Sequence, residues 1–263
     1  DQNIQENTIS HEIFHHWFGN LVTSESWSNL TLNESFANYG EYLWREHKYG
    51  KLDADMHMQE VSEVYINGQN FNKDLVRFYY DDKEDVFDLV SYNKGGAILH
   101  MLRKYLGDEA FFGALKIYLT ENKFKAAEVH QLRLAFEKIT GKDLNWFFNQ
   151  WYFGAGHPKL DVSFDYNTLR NTVTVNIIQL QNNPFQFPFA IDIFEGTRRT
   201  RHAVFVTGKD ASFTFPFMKQ PTFIQVNSDA ILLCEINENK VLSDYIFQLK
   251  NAENYTHRRE ALL

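Results

Sequence analysis

Near its amino end the chain reads His11-Glu12-Ile13-Phe14-His15, and a second carboxylate, Glu34, follows His15 after eighteen residues. That pattern constrains the local fold tightly. Positions i and i+4 of an α-helix lie one above the other on one face, so a helix here presents two imidazoles to a single ion. Glu12 then projects about 100° round the helix from His11, given ~3.6 residues per turn. From there it reaches a water on the ion without ligating the ion itself. Two histidines and one carboxylate leave a fourth position to water, the composition of a catalytic zinc site rather than a closed structural one.

The flanking residues support helices at both places. TISHEIFHHWFGN has amphipathic spacing, with Ser10 or Thr8 as N-cap and Gly19-Asn20 as the stop. Glu34 lies in a second helical pattern with Leu32, Phe36, Tyr39 and Leu43 on its apolar side and a start at Asn33 or Asn29. A turn-rich link (Thr23, Ser24, Ser26, Ser28) lets the two helices pack antiparallel and bring the third ligand to the first two. A metzincin pattern is excluded, because Phe18 and Leu21 stand where that class needs Gly and His. His16 sits about 140° round the helix from His11 and is assigned to packing or to support of a ligand. Glu41, seven residues after Glu34 and on the same face, is a candidate to orient a zinc histidine through its other nitrogen, against a plain surface carboxylate as the alternative.

Four stretches, HEIFHHWFGNLVT, LNESFANYGEYLW, VFDLVSYNKGGAILHML and WFFNQWYFGAGHPKLDV, occur in an order and spacing that resemble the aminopeptidase N family of zinc aminopeptidases. These are the gluzincins that include leukotriene hydrolase and the tricorn-associated peptidases. The resemblance covers roughly residues 8–165. It implies a thermolysin-like peptidase lobe that binds one zinc per chain through His11, His15 and Glu34, with Glu12 as general base and a peptide as substrate. It further implies that Tyr92, in SYNKGG, steadies the oxyanion. Three positions depart from the family pattern: Thr31 replaces a usual tryptophan, Ser35 a usual glycine, and Phe14 a usual alanine. None of the three is a ligand, so they bear on the shape of the pocket. The same scaffold leaves two alternatives, another zinc hydrolase (an endopeptidase or epoxide hydrolase) and a catalytically silent scaffold that binds peptides or domains.

The family's Gly-x-Met-Glu-Asn segment, whose glutamate holds the substrate amine, has no counterpart in DQNIQENTIS ahead of His11. At the other end, ENYTHRREALL reads as the opening of an amphipathic helix with no partner. The expectation is a piece of a longer enzyme that lacks amino- and carboxy-terminal domains and has little or no aminopeptidase activity by itself.

The period of the apolar residues divides the chain. It is helical to about residue 156, through the zinc helices, residues near 53–70, KGGAILHMLRKYLG, DEAFFGALKIYLTENK, AAEVHQLRLAFEKITG and LNWFFNQWYFGAG. Gly107, Gly141 and Gly154–Gly156 are the stops, with Asp108 and Asp143 as N-caps. From His157-Pro158 onward the period becomes two, in KLDVSFDY, TVTVNIIQL, FPFAIDIFEG, RHAVFVTG, SFTFPF, TFIQVN and AILLCEI, a pattern of short strands that predicts a β-sandwich. The expected organisation is thus multidomain α and β: a mainly helical peptidase lobe over 1–156, an all-β sandwich over 157–240, and the start of a helical region over 241–263.

Composition adds exclusions. A hydrophobic fraction of 44% with 24 Phe is ample for a packed core. A net charge of −8 offers no basic footprint for nucleic acid. Cys234 is the one cysteine, which precludes an internal disulfide, and its place in AILLCEI predicts a buried strand thiol. No run approaches the ~20 apolar residues of a membrane span; a soluble protein is expected, and the compartment is left open. Arg198, Arg199 and Arg201 are expected at a solvated hairpin tip.

Overall fold

The computed structural model describes residues 2–68 and 72–263. It divides into two compact units, Asp1–Gly156 and His157–Leu263.

The first unit is helical. Helix α1 (Gln2–Phe14) starts well before the expected caps, so Ser10 lies inside it and its hydroxyl donates back to Asn7 O at 2.8 Å. The helix unwinds after one more turn. Asn20 N donates to His15 O at 2.8 Å, and Gly19 takes a φ of 150°, where a Cβ would meet His15 O at 2.9 Å. A short strand β1 (Val22–Ser24) follows, and then α2 (Thr31–Tyr49). Neither Asn33 nor Asn29 caps α2. Asn29 Oδ1 instead accepts from Val129 N at 3.0 Å.

Helix α2 is the hub of the unit, touching α1, α3 (Lys51–Asn67) and α4 (Gly95–Leu106). Its buried face carries Leu32, Phe36, Ala37 and Tyr39, each 1% exposed or less. Residues 69–70 of the helix expected near 53–70 lie outside the described residues. Helix α5 (Asp108–Asn122) leads to strand β2 (Lys125–Ala127), which pairs in parallel with β1, and then α6 (Val129–Thr140) and α7 (Asn145–Trp151) close the unit. Asp108 is not a cap, because Arg103 engages both of its oxygens at 2.8 Å. Asp143 stops short of capping α7, accepting from Asn145 N at 2.8 Å. Gly141 ends α6 in the left-handed region at φ 65°.

Aromatic stacking locks the zinc-motif segment to its neighbours. Phe18 lies 3.9 Å from Phe36 at 2° between planes, and 6.2 Å from Tyr118 on α5.

The second unit holds two sheets. One has the order β7-β4-β3-β9, from strands β3 (Lys159–Asn167), β4 (Thr172–Gln179), β7 (Asp210–Pro216) and β9 (Glu235–Glu238). The other has the order β6-β5-β8, from β5 (Phe187–Glu195), β6 (Arg198–Val206) and β8 (Phe223–Val226). On β4 the alternation is clean, with Val173, Val175 and Ile177 fully buried. The strand expected over AILLCEI starts later, at Glu235, so Cys234 is half-buried just ahead of it. Burial pushes its thiol pKa up.

Strand β5 buries both faces, and this reveals what the last residues do. Phe194 meets Phe247 of helix α8 (Leu242–Asn251) at 5.2 Å, and Phe247 also meets Phe223 at 5.4 Å. The tail expected to lack a partner forms α9 (Tyr255–Glu260), where buried His257 donates from Nε2 to Asn227 O at 3.0 Å. The arginines sit on the β5–β6 hairpin as expected, but two of them are tied by ion pairs. Arg201 makes a bidentate pair with buried Asp192 at 2.7 and 2.8 Å, and Arg199 reaches Glu253 at 2.7 Å. All three are exposed, Arg198 with a contact to Met218 Sδ at 3.4 Å. Among the described residues no helix is long and apolar enough to cross a membrane.

The approach of α4 to α2 depends on Gly95. A Cβ there would stand 1.8 Å from Ser35 Oγ and 2.5 Å from Ser35 Cβ, and the second overlap has no side-chain rotation to relieve it. Gly95→Ala is expected to cost about 1–3 kcal/mol in urea unfolding. Adding Ser35→Gly is expected to return part of that loss, a non-additive pair that equal losses in both backgrounds would contradict.

Candidate metal centre

The end of α1 and the first turn of α2 bring His11, His15 and Glu34 together. His11 and His15 stand edge to face at 5.0 Å, and each Nε2 lies 3.4 Å from Glu34 Oε2. One ligand atom from each of the three lies within 4.8 Å of the others. Glu34 is 8% exposed.

Both imidazoles are held from behind. His15 Nδ1 donates to Phe18 O at 3.1 Å, and His11 Nδ1 donates to Glu41 Oε1 at 3.0 Å. Since a carbonyl and a carboxylate only accept, the proton of each neutral ring sits on Nδ1 and leaves Nε2 for a metal, and in the protonated ring Nε2–H donates to Glu34. Glu41 is therefore no plain surface carboxylate. Its other oxygen lies 3.2 Å from His57 Nε2 on α3. His57 stands in LDADMHMQE, where no motif spacing marks it.

The charges couple accordingly. Burial opposes charge on His11, yet the carboxylates of Glu34 and Glu41 lift its pKa to about 9. Hydrogen bonding to Glu34 raises that of His15 as well, against burial. Burial pushes the Glu34 carboxyl up, but the two histidines and the Tyr92 hydroxyl outweigh it and hold it at about 2. Glu41 is likewise held below the ordinary carboxylate range by His11 and His57 despite burial.

Tyr92 reaches the cluster from a single π-turn, Val90–Lys94, that leads into α4. Its ring lies parallel to His11 at 5.8 Å, and its hydroxyl hydrogen-bonds Glu34. Burial, together with the charges of Glu34 and Glu12, pushes the phenol pKa up, so Tyr92 keeps its proton and stays a donor. Asp88 Oδ1 caps the turn by accepting from Val90 N and Ser91 N at 3.0 and 3.1 Å, and Arg77 clamps Asp88 at 2.6 and 3.1 Å. Sequence reasoning did not find this pair. Two of the unusual residues meet here: Thr31 Oγ1 donates to Ser35 Oγ at 2.7 Å, and Ser35 Oγ donates to Ser91 O at 2.7 Å. The third, Phe14, packs over Gly40, where a Cβ would come within 2.5 Å of its ring.

Glu12 and His16 are exposed, so of the two roles expected of His16, packing or support of a ligand, the packing role is not found. Glu12 sits next to His11 in sequence, and its charge is felt at Tyr92.

The donor set fits a zinc ion. Donors about 2.0–2.1 Å from a tetrahedral ion stand about 3.3–3.4 Å apart, and both histidine–Glu34 separations are 3.4 Å.

Residues 1–151, more than half of the chain, match the model of the peptidase family M1 domain. The chain belongs to peptidase family M1. Members of this family are zinc metallopeptidases, and His11, His15 and Glu34 are a group that could hold a metal ion. The tricorn protease-interacting factor F2 of Thermoplasma volcanium is 35% identical over 170 residues, 63% of this chain and 22% of that protein. The glutamyl aminopeptidase of Bitis rhinoceros is 34% identical over 175 residues, 63% of this chain and 17% of its own. The chain thus spans about a fifth of the length of these curated relatives. The crystal structure of Legionella pneumophila aminopeptidase A in complex with aspartic acid superposes on 97% of the chain and 29% of its own, with a TM-score of 0.81. At 19% identity it shows a shared fold.

At the end of the Tyr92 turn, Lys94 is fully buried, its Nζ donating to Gly154 O at 3.1 Å. Burial outweighs the nearby Asp74 charge and lowers its pKa from 10.5 to about 7. Above pH 7 the folded chain holds Lys94 neutral, whereas the unfolded chain keeps the proton up to 10.5. Folding therefore releases a proton, and stability rises with pH across that window. Relative to Lys94→Met, the wild type is expected to gain stability in urea unfolding from about pH 7 to about pH 10. A difference that stays constant with pH would contradict this.

Proposed function

We propose that the chain carries the zinc-binding half of an aminopeptidase site, hydrolysing amino-terminal peptide bonds with His11, His15 and Glu34 as ligands. The observation that carries this reading is the pair of 3.4 Å separations from Glu34 Oε2 to the two Nε2 atoms, each imidazole being backed by an acceptor on Nδ1. Zinc bound among them supplies a Lewis acid that polarises the scissile carbonyl and acidifies the attacking water.

The remaining chemistry belongs to the chain. Glu12, exposed and next to a ligand, takes the water proton on its carboxylate as the oxygen attacks the carbonyl carbon. It then delivers that proton to the amine nitrogen as the C–N bond breaks. Tyr92, protonated and stacked on His11, donates its hydroxyl hydrogen to the carbonyl oxygen as negative charge builds there. This interaction strengthens towards the transition state, so its loss lowers kcat more than it raises KM. The names of the relatives, an aminopeptidase among them, favour a peptide with a free amino terminus as substrate.

Metal analysis is expected to give one zinc per chain, lost on His15→Ala. Zinc retained by that variant would sink the ligand assignment. Glu12→Gln in the full-length enzyme is expected to keep the metal and lose about 10²–10⁴-fold in kcat on an aminoacyl-anilide. Turnover at the wild-type rate would remove Glu12 as the base.

A further inference from the structure

We propose that His57 is a positioning residue of the metal centre, acting through Glu41 on the ring of His11. The inference rests on reading His11 as a zinc ligand.

The two imidazoles are oriented by unlike acceptors. His15 leans on Phe18 O, a backbone carbonyl fixed by the chain itself. His11 leans on Glu41, a side chain whose terminal torsion is broad and roughly two-fold. One hydrogen bond to one oxygen leaves that carboxylate free to swing about its own axis. A second partner on the opposite oxygen fixes its plane. In this chain the second partner is His57: its Nε2 stands 3.2 Å from Glu41 Oε2, while Glu41 Oε1 holds His11 Nδ1 at 3.0 Å.

His57 is 7% exposed, and its Nε2, which approaches Glu41 off the ideal axis, is buried without a hydrogen-bond partner among the described residues. A buried polar nitrogen left so costs stability, and the Glu41 carboxylate is the group in reach that offsets the cost. Three helices are joined in this way, α3 through His57, α2 through Glu41 and α1 through His11. The arrangement sets the plane of one ligand from two residues away, a role that outer partners of metal histidines fill in general.

The test measures zinc affinity by competition with a chelating dye, and checks folding by circular dichroism and Tm. His57→Ala is expected to weaken zinc about 3- to 30-fold, short of the roughly 10- to 100-fold expected for Glu41→Gln. His57→Gln, whose amide can donate to the same oxygen, is expected to recover most of the loss. In a Glu41→Ala background, His57→Ala is expected to cost no further affinity, a coupling that a merely structural role would not produce. If His57→Ala does not fold, His57→Phe fills the space without a donor and replaces it in the cycle. Wild-type zinc affinity in the folded His57 variant, or an equal loss in both backgrounds, would overturn the proposal. Failure of the wild type itself to bind one zinc would instead overturn the metal-centre reading on which it stands.

Discussion

A carboxylate removed from water is costly unless opposite charge or hydrogen-bond donors meet it. Glu34, on the first turn of the hub helix, is 8% exposed; two imidazoles meet one of its oxygens, and the Tyr92 hydroxyl bonds its carboxyl group. That demand dictates much of the first unit. It requires α1 to end where His11 and His15 share a face over Glu34, and it requires the π-turn to bring Tyr92 in from α4. The phenylalanine stack from Phe18 to Phe36 supplies the apolar contact that holds the two helices at that spacing. The cluster that would hold a metal is therefore also a cluster that holds the unit together.

The supports round it differ in stiffness. His15 is backed by main chain, His11 by a side chain that needs its own anchor, and Tyr92 by a capped turn clamped from Arg77 through Asp88. Thr31 and Ser35, both unusual for the family pattern, turn out to work as a unit. Their hydroxyls form a chain ending on Ser91 O, one residue before Tyr92, and the glycine at 95 leaves the room that Ser35 needs. Phe14 finds its room over Gly40 in the same manner. Departures at these positions thus alter the packing behind the centre and leave the ligand atoms in register.

The ligand cluster was legible because it rests on local geometry: His11 and His15 are one turn apart, and Glu34 lies on a strongly amphipathic helix. The change of period at His157 was legible for a similar reason, since alternation along β4 maps directly onto buried Val173, Val175 and Ile177. His57 and the Arg77–Asp88 clamp were not, because their partners are distant in sequence or follow no motif. Ser10 and Asp108 look like caps, yet one lies within a longer helix and the other is taken by Arg103. The tail seemed partnerless because β5 presents a second buried face, through Asp192 and Phe194, that its alternation does not advertise.

The most direct test is zinc K-edge X-ray absorption on the zinc-loaded chain. Two imidazole nitrogens and a carboxylate oxygen as light scatterers at about 2.0–2.1 Å are the predicted result. A sulfur shell at about 2.3 Å, the distance of a thiolate ligand, or a spectrum without the backscattering of two imidazole rings, would contradict it.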